Sequence, residues 1–207
     1  MFKIATSIGV AAVALIAATA NAVTIVPVSA TGSSSYPGYA DVNAIDQGPG
    51  AALSDWASFG QGTSSTLRLD LGKVYSLSSA AVTDRVTSGG GNNSFVGGLY
   101  DFTTSYSLTA YTDATYTTVI GSPVIVNKSA PATHSSPSDF LSTASLGGVQ
   151  AEFLQYNVLV ANGANPGLSD ISFTGTAVPE PAAWTLMIAG FALVGMSARR
   201  RTTVVAA

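Results

Sequence analysis

The chain has 207 residues, no cysteine, a single histidine, and 8 basic against 11 acidic residues. Without cysteine it can form no disulfide staple and no Cys-His catalytic pair, and with His134 as the sole imidazole a His-rich zinc site is excluded. Between 23 and 177 only Arg68, Lys73, Arg85 and Lys128 stand against ten acidic residues, a net of −6 (4 − 10), so nothing there could neutralise a run of phosphates and nucleic acid is not an expected partner.

Taken in order, Lys3 is followed by an apolar run from Ile4 to Ala18 and by Ala20-Asn21-Ala22. This reads as a secretory signal peptide, segment 1–22, cut by signal peptidase to leave Val23 as the new N-terminus. Residues 23–177 are then one domain of ordinary size, large enough for a single core. The Ser/Thr/Gly-rich stretch at 29–38 reads as a loop. Thr66 to Leu71 alternates leucines with polar residues and is stopped by Gly72; Val74 to Val86 is a second apolar-rich strand. Thr104 to Thr112 alternates through Tyr106, Leu108 and Ala110, and Thr118 to Val126 is interrupted at Gly121-Ser122-Pro123. In Ala151 to Ala161, Phe153, Gln155, Asn157 and Leu159 share one face, and Leu154, Tyr156, Val158 and Val160 the other. Leu168 to Gly175 closes the domain. Six or more strands with Gly and Pro turns and no credible helix predict an all-β antiparallel sandwich.

The order Asn43-Ala44-Ile45-Asp46, Ser54-Asp55-Trp56, Leu69-Asp70-Leu71-Gly72, Val82-Thr83-Asp84-Arg85, Phe153-Leu154-Gln155-Tyr156 and Gly167-Leu168-Ser169-Asp170-Ile171 resembles a discoidin, or coagulation-factor type C, domain. The resemblance implies a galactose-binding-like jelly roll over about 40–175, the class that includes many bacterial carbohydrate-binding modules. Trp56 is expected to be buried near the start of the sandwich. The terminal cysteines frequent in animal relatives are absent. By the same resemblance, an early aspartate, a nearby hydroxyl and a late acid hold a structural Ca²⁺, and these map onto Asp46, Ser54 and Asp170. Two carboxylates plus carbonyl oxygens are adequate for that hard cation; otherwise both acids are turn residues.

Sugar binding needs an aromatic face and a few fixed polar groups. The candidates are Tyr36, Tyr39 and Phe59 in early loops, Asn92, Asn93, Phe95 and Tyr100 around the Gly89 to Gly98 loop, and Asn162 and Asn165 late in the chain. Each also has a plainer reading as turn residue or core aromatic. Asp84-Arg85, directly after a strand, is a further ligand-binding candidate, against an intradomain ion pair. Gly89-Gly90-Gly91 lacks the ending of a phosphate loop, and no G-x-S-x-G accompanies His134. A non-enzymatic, carbohydrate-binding surface protein is the reading these residues favour. A structural biofilm protein without glycan binding is the alternative, and a glycoside hydrolase with two carboxylates about 5 to 9.5 Å apart is the third.

The end of the chain, 178–207, has a different composition. Pro179-Glu180-Pro181 precedes an uncharged run from Ala182 to Ala198, which is followed by Arg199-Arg200-Arg201. The two prolines predict an extended spacer. The apolar run, about 25 Å long as a helix, is at the short end of a membrane span, and the arginines orient the C-terminus to the cytoplasm. The pattern resembles the PEP-CTERM sorting signal. That resemblance implies recognition by an exosortase in a Gram-negative bacterium that makes extracellular polysaccharide. The chain would sit in the inner membrane before sorting and at the cell surface or outside the cell afterwards, with the polysaccharide as a partner.

Overall fold

The computed structural model describes residues 21–47, 55–85, 101–129, 140–179 and 181–200. Within them lie eight strands: β1 (Val23–Ile25), β2 (Ser29–Gly32), β3 (Trp56–Ala57), β4 (Thr66–Asp84), β5 (Phe102–Tyr111), β6 (Val119–Asn127), β7 (Leu141–Asn162) and β8 (Gly167–Ala177). They are followed by a helix, α1 (Pro181–Arg200). The predicted antiparallel all-β sandwich is what forms; between the strands lie two single 3₁₀ turns, Asp41–Ile45 and Gly62–Ser64.

Two strands are far longer than their hydrophobic pattern suggested. Thr66–Leu71 and the stretch predicted from Val74 belong to one strand, β4, which ends at Asp84 and is bent at Gly72, whose φ of 78 lies where only glycine is unstrained. β7 starts ten residues before the expected Ala151 and bends at Gly147 and Gly148, with φ 62 and 82. These bends let both strands serve both layers. The first half of β4 pairs with β2 and with the end of β7, which pairs in turn with β5; the second half pairs with β8 and with the start of β7. Residues 29–32 also depart from the sequence reading, since β2 is a strand on β4 rather than loop. β6 passes unbroken through Gly121-Ser122-Pro123 because it pairs only with β5, and an edge strand tolerates a residue without an N–H.

The core lies between the layers: Leu67, Leu69, Leu77 and Val82 of β4, Tyr106 and Leu108 of β5, Leu154, Tyr156 and Val158 of β7, and Ile171 and Phe173 of β8 are all buried. Trp56 is fully buried as expected, and its indole N–H donates to Ser34 O at 3.1 Å. Its strand can lie against β8 because Gly167 has no side chain: a Cβ there would fall 1.9 Å from Trp56 O. The opposite face of the first layer points outward, and its residues align across four strands. Tyr111, Phe153, Asp70 and Ser29 form one row, and Thr109, Gln155, Arg68 and Thr31 form the next.

α1 begins at Pro181, a residue suited to a first helical turn where no N–H partner is needed. Val178 N donates to Val74 O, tying the segment between β8 and the helix to the bend of β4. Leu186, Ile188, Leu193 and Val194 are all exposed. Among the described residues no helix is long and apolar enough to cross a membrane, which corrects the spanning helix predicted over Ala182–Ala198. The uncharged run Ala182–Ala198 covers about 25 Å as a helix, short of a hydrocarbon core of about 30 Å. Thr185, Gly190 and Gly195 also interrupt its apolar surface.

Candidate functional site

One end of the sandwich collects five chain segments: the end of β4, the start of β5, the β7–β8 turn, β3 with the residues after it, and the loop between β2 and the first 3₁₀ turn. Backbone bonds tie them together: Tyr36 N to Ala57 O (2.7 Å), Ser58 N to Pro166 O (3.0 Å) and Asp101 N to Asn162 O (2.6 Å). Asn165 joins two loops, since its side-chain oxygen accepts Gly60 N (2.8 Å) and its N–H donates to Asp101 Oδ1 (2.9 Å). Asp101 has φ 62, a conformation that costs a non-glycine residue strain and that these bonds hold in place.

Arg85 sits at the centre of this network. Its Nε lies 3.1 Å from Asp55 Oδ2, its Nη1 donates to Asn165 O at 2.8 Å and stands 3.6 Å from Asp101 Oδ2, and its guanidinium covers the Tyr39 ring at 4.4 Å. Its side chain is only 7% exposed. Above it, Tyr36 meets Tyr39 and Phe59 edge-on, with centroids 5.8 and 5.4 Å apart. Tyr36 is 39% and Phe59 59% exposed, so these two rings form the accessible rim and Arg85 the strut beneath it. Burial lifts Asp55 to about 6 despite the pull of Arg85.

Asp84 does not pair with Arg85's side chain. Its carboxylate is wholly buried, accepts Arg85 N and Thr103 N, and meets Lys128 Nζ at 3.0 Å. Lys128 also lies over the Phe102 ring, 4.9 Å from its centroid. Burial outweighs the lysine and raises Asp84 to about 6. Each residue of this dipeptide is thus engaged in an intradomain ion pair, Asp84 with Lys128 and Arg85 with Asp55, rather than with the other's side chain. Sequence reasoning missed Asp55, Asp101 and Lys128 as members of the site. Scarcity of cations was the available signal, because the few cations of so acidic a domain have carboxylates to neutralise wherever they are buried.

On the neighbouring loop, Gln47 (φ 56) donates Nε2 to Asp170 Oδ1 at 2.6 Å. Asp170 is raised to about 6, first by burial and then by the charge of Asp46. The charge of one of the two acids expected to share a cation is thus felt at the other. Ser54, Asn92, Asn93, Phe95, Tyr100 and His134 lie outside the described residues. So do Glu180 and Arg201 of the tail, while Arg199 and Arg200 are the last residues of α1 and Pro179 lies just before it.

Residues 177–201 match the PEP-CTERM protein-sorting motif. The tail is a sorting signal. No curated protein matches the chain significantly. Among solved structures, a family 32 carbohydrate-binding module from C. perfringens NanJ, in complex with galactose, is 16% identical with a TM-score of 0.50, covering 73% of this chain and 99% of that one. A Streptococcus pneumoniae fucose-binding module is 13% identical with a TM-score of 0.52, covering 70% and 89%. The Clostridium perfringens module CpGH89CBM32-5, in complex with GalNAc-β-1,3-galactose, is 16% identical with a TM-score of 0.52, covering 70% and 93%. The sandwich shares its fold with these modules. At such identities the likeness speaks for the fold; the site must be argued from its own residues.

Proposed function

We propose that the chain is an exported protein, cut by signal peptidase, processed by an exosortase through the sorting motif, and displayed at the cell surface or in the extracellular polysaccharide, where its sandwich binds glycan without catalysis. The observation that carries this reading is the rim of Tyr36 and Phe59 standing over the Tyr39–Arg85 stack. Exposed rings offer the apolar C–H face of a sugar a surface, and the tied loops beneath keep that surface in place before binding. The sugar complexes of the structural neighbours agree with it. The full chain applied to a glycan array is expected to retain at least one glycan. Phe59→Ala is expected to weaken that binding about tenfold while the melting temperature stays unchanged, because the ring is exposed. An array with no retained glycan, the producer's polysaccharide included, would end the reading.

Asp46 and Asp170 suit a calcium ion: both are hard oxygen ligands, and a cation between them would relieve the repulsion that helps keep Asp170 high. Gln47's amide oxygen and nearby carbonyls are further candidates for the shell, with Ser54 as the hydroxyl the resemblance implies. Millimolar calcium is expected to raise the melting temperature of the full chain at pH 7. The gain should shrink at pH 5, below the value of about 6 for Asp170, where protons compete for the carboxylate. It should vanish in Asp170→Asn. An unchanged melting curve at pH 7 removes calcium from the account.

A further inference from the structure

The sandwich carries a second constellation of guanidinium, rings and amides on the outer face of its first layer, around Arg68 near the start of β4, 17 positions before Arg85 in the chain (85 − 68). Tyr116, in the β5–β6 turn, has φ 56, and the turn folds back so that its hydroxyl donates to Leu69 O at 3.1 Å. Its ring meets Tyr111 and Phe153 at 5.4 and 5.9 Å. Arg68 lies over that ring, 4.9 Å from the centroid, and its Nε points to Gln155 Oε1 at 3.4 Å. Gln155 in turn donates to Asn157 Oδ1. The result is a row of oriented hydrogen-bonding groups walled at one end by rings.

The two guanidiniums differ in one decisive respect. Arg85 has its donors taken up by Asp55, Asp101 and Asn165 O and is closed off from solvent. Arg68 is exposed, and among the described residues no ion pair or hydrogen bond engages its two terminal nitrogens. It is nonetheless held by stacking and by Gln155, so its outward N–H groups are already positioned. A non-glycine residue at φ 56 is strained, and here the strain serves to lay a ring beside those donors.

We propose that this face is a second glycan-binding site, one that takes an uncharged, extended polysaccharide chain. The proposal rests on the glycan-binding reading of the domain and adds a place for polymer that the loop rim does not cover. The length follows from the register: Gln155, Arg68 and Thr31 are aligned across three strands, a track of about 10 Å at the usual strand spacing of about 4.8 Å, closed at one end by the buried Thr109. The charge class follows from the surroundings. Asp70 borders Arg68 in the next row, and Glu152 is held above its usual value first by burial and then by the charge of Asp70. A polymer bearing a carboxylate on every sugar would meet that negative edge, whereas hydroxyls find Arg68 and the amides as partners.

The test is affinity electrophoresis of the full chain in native gels containing a soluble neutral galactan, glucan or mannan, or polygalacturonate. At least one neutral polymer is expected to retard the wild type. Arg68→Gln and Tyr116→Gly are each expected to weaken retardation roughly tenfold, and the glycine substitution suits the φ already present. Phe59→Ala separates the two sites, since its loss should add to that of Arg68→Gln. Retardation lost in Phe59→Ala and unchanged in both face variants overturns this proposal and leaves the loop reading standing. Stronger retardation by polygalacturonate than by every neutral polymer overturns the uncharged class. A wild type retarded by none of the four overturns this proposal, while the array decides the loop reading.

Discussion

Lys128→Met is expected to lower the unfolding free energy at pH 7 by about 3–5 kcal/mol, the range for removing one partner of a buried pair. The reason is Asp84. Its side chain is fully buried, and Lys128 at 3.0 Å is its only cationic partner among the described residues. Methionine keeps most of the apolar stem that packs on Phe102, so the loss reports the orphaned carboxylate rather than a cavity. The pH dependence gives an internal check. Asp84 sits at about 6 in the fold against 3.8 for the ordinary group; a raised acid favours the folded state when protonated. That contribution is complete below the lower value and is lost as pH rises through the upper one. The defect of Lys128→Met should therefore shrink between pH 7 and pH 4, and Asp84→Asn,Lys128→Met should lose less than Lys128→Met at pH 7. Asp55 and Asp170, each also raised to about 6, push the wild type in the same direction. Denaturant melts at both pH values check this; a defect independent of pH would mean that Asp84 is not the group responsible.

Trp56→Ala should cost about 3–5 kcal/mol through the cavity and lost transfer energy, and it should also impair glycan binding. The second effect follows from position. Trp56 is fully buried, its indole N–H holds Ser34 O, and the next residue, Ala57, accepts Tyr36 N. Removing the indole releases the support under the loop that carries Tyr36 and Tyr39. Trp56→Phe, which keeps most of the volume but not the N–H, should lose less stability. Array binding measured on folded Trp56→Phe then tests the loop anchor apart from the cavity. Unimpaired binding in that variant would show that the Ser34 bond does not set the rim.

Much of the architecture was legible because the strand signal is local. A period of two with leucines on one side predicts the inward face of Thr66–Leu71 and the two faces of Ala151–Ala161 directly. What the pattern hid was continuity. Gly72, read as a stop, is a bend, and Gly147-Gly148 is a second irregularity, opposite the Leu77–Ser79 stretch of β4, because glycine marks both a strand end and a strand that bends and continues. The exposed aromatics Tyr36 and Phe59 were legible as candidates, since few residue types offer a flat apolar surface in a polar loop. The partners of Arg85 were not: Asp55 and Asp101 lie 30 and 16 positions away in the chain (85 − 55 and 101 − 85) and meet the guanidinium only because the loops of one end converge.

The sequence by itself determined the sorting tail, the all-β class, the buried tryptophan and the acidic, cysteine-free character of the domain, because each is a matter of composition, order or period. The tertiary structure alone decided which charges are buried and which remain available. Asp84 and Arg85, adjacent in the chain, belong to two separate closed ion pairs, while Arg68, unremarkable in an alternating strand, presents its donors to solvent. The physical reason is that a charge's role depends on what surrounds it in space. Desolvation and pairing are set by strands brought together from distant parts of the chain, and no local pattern encodes them.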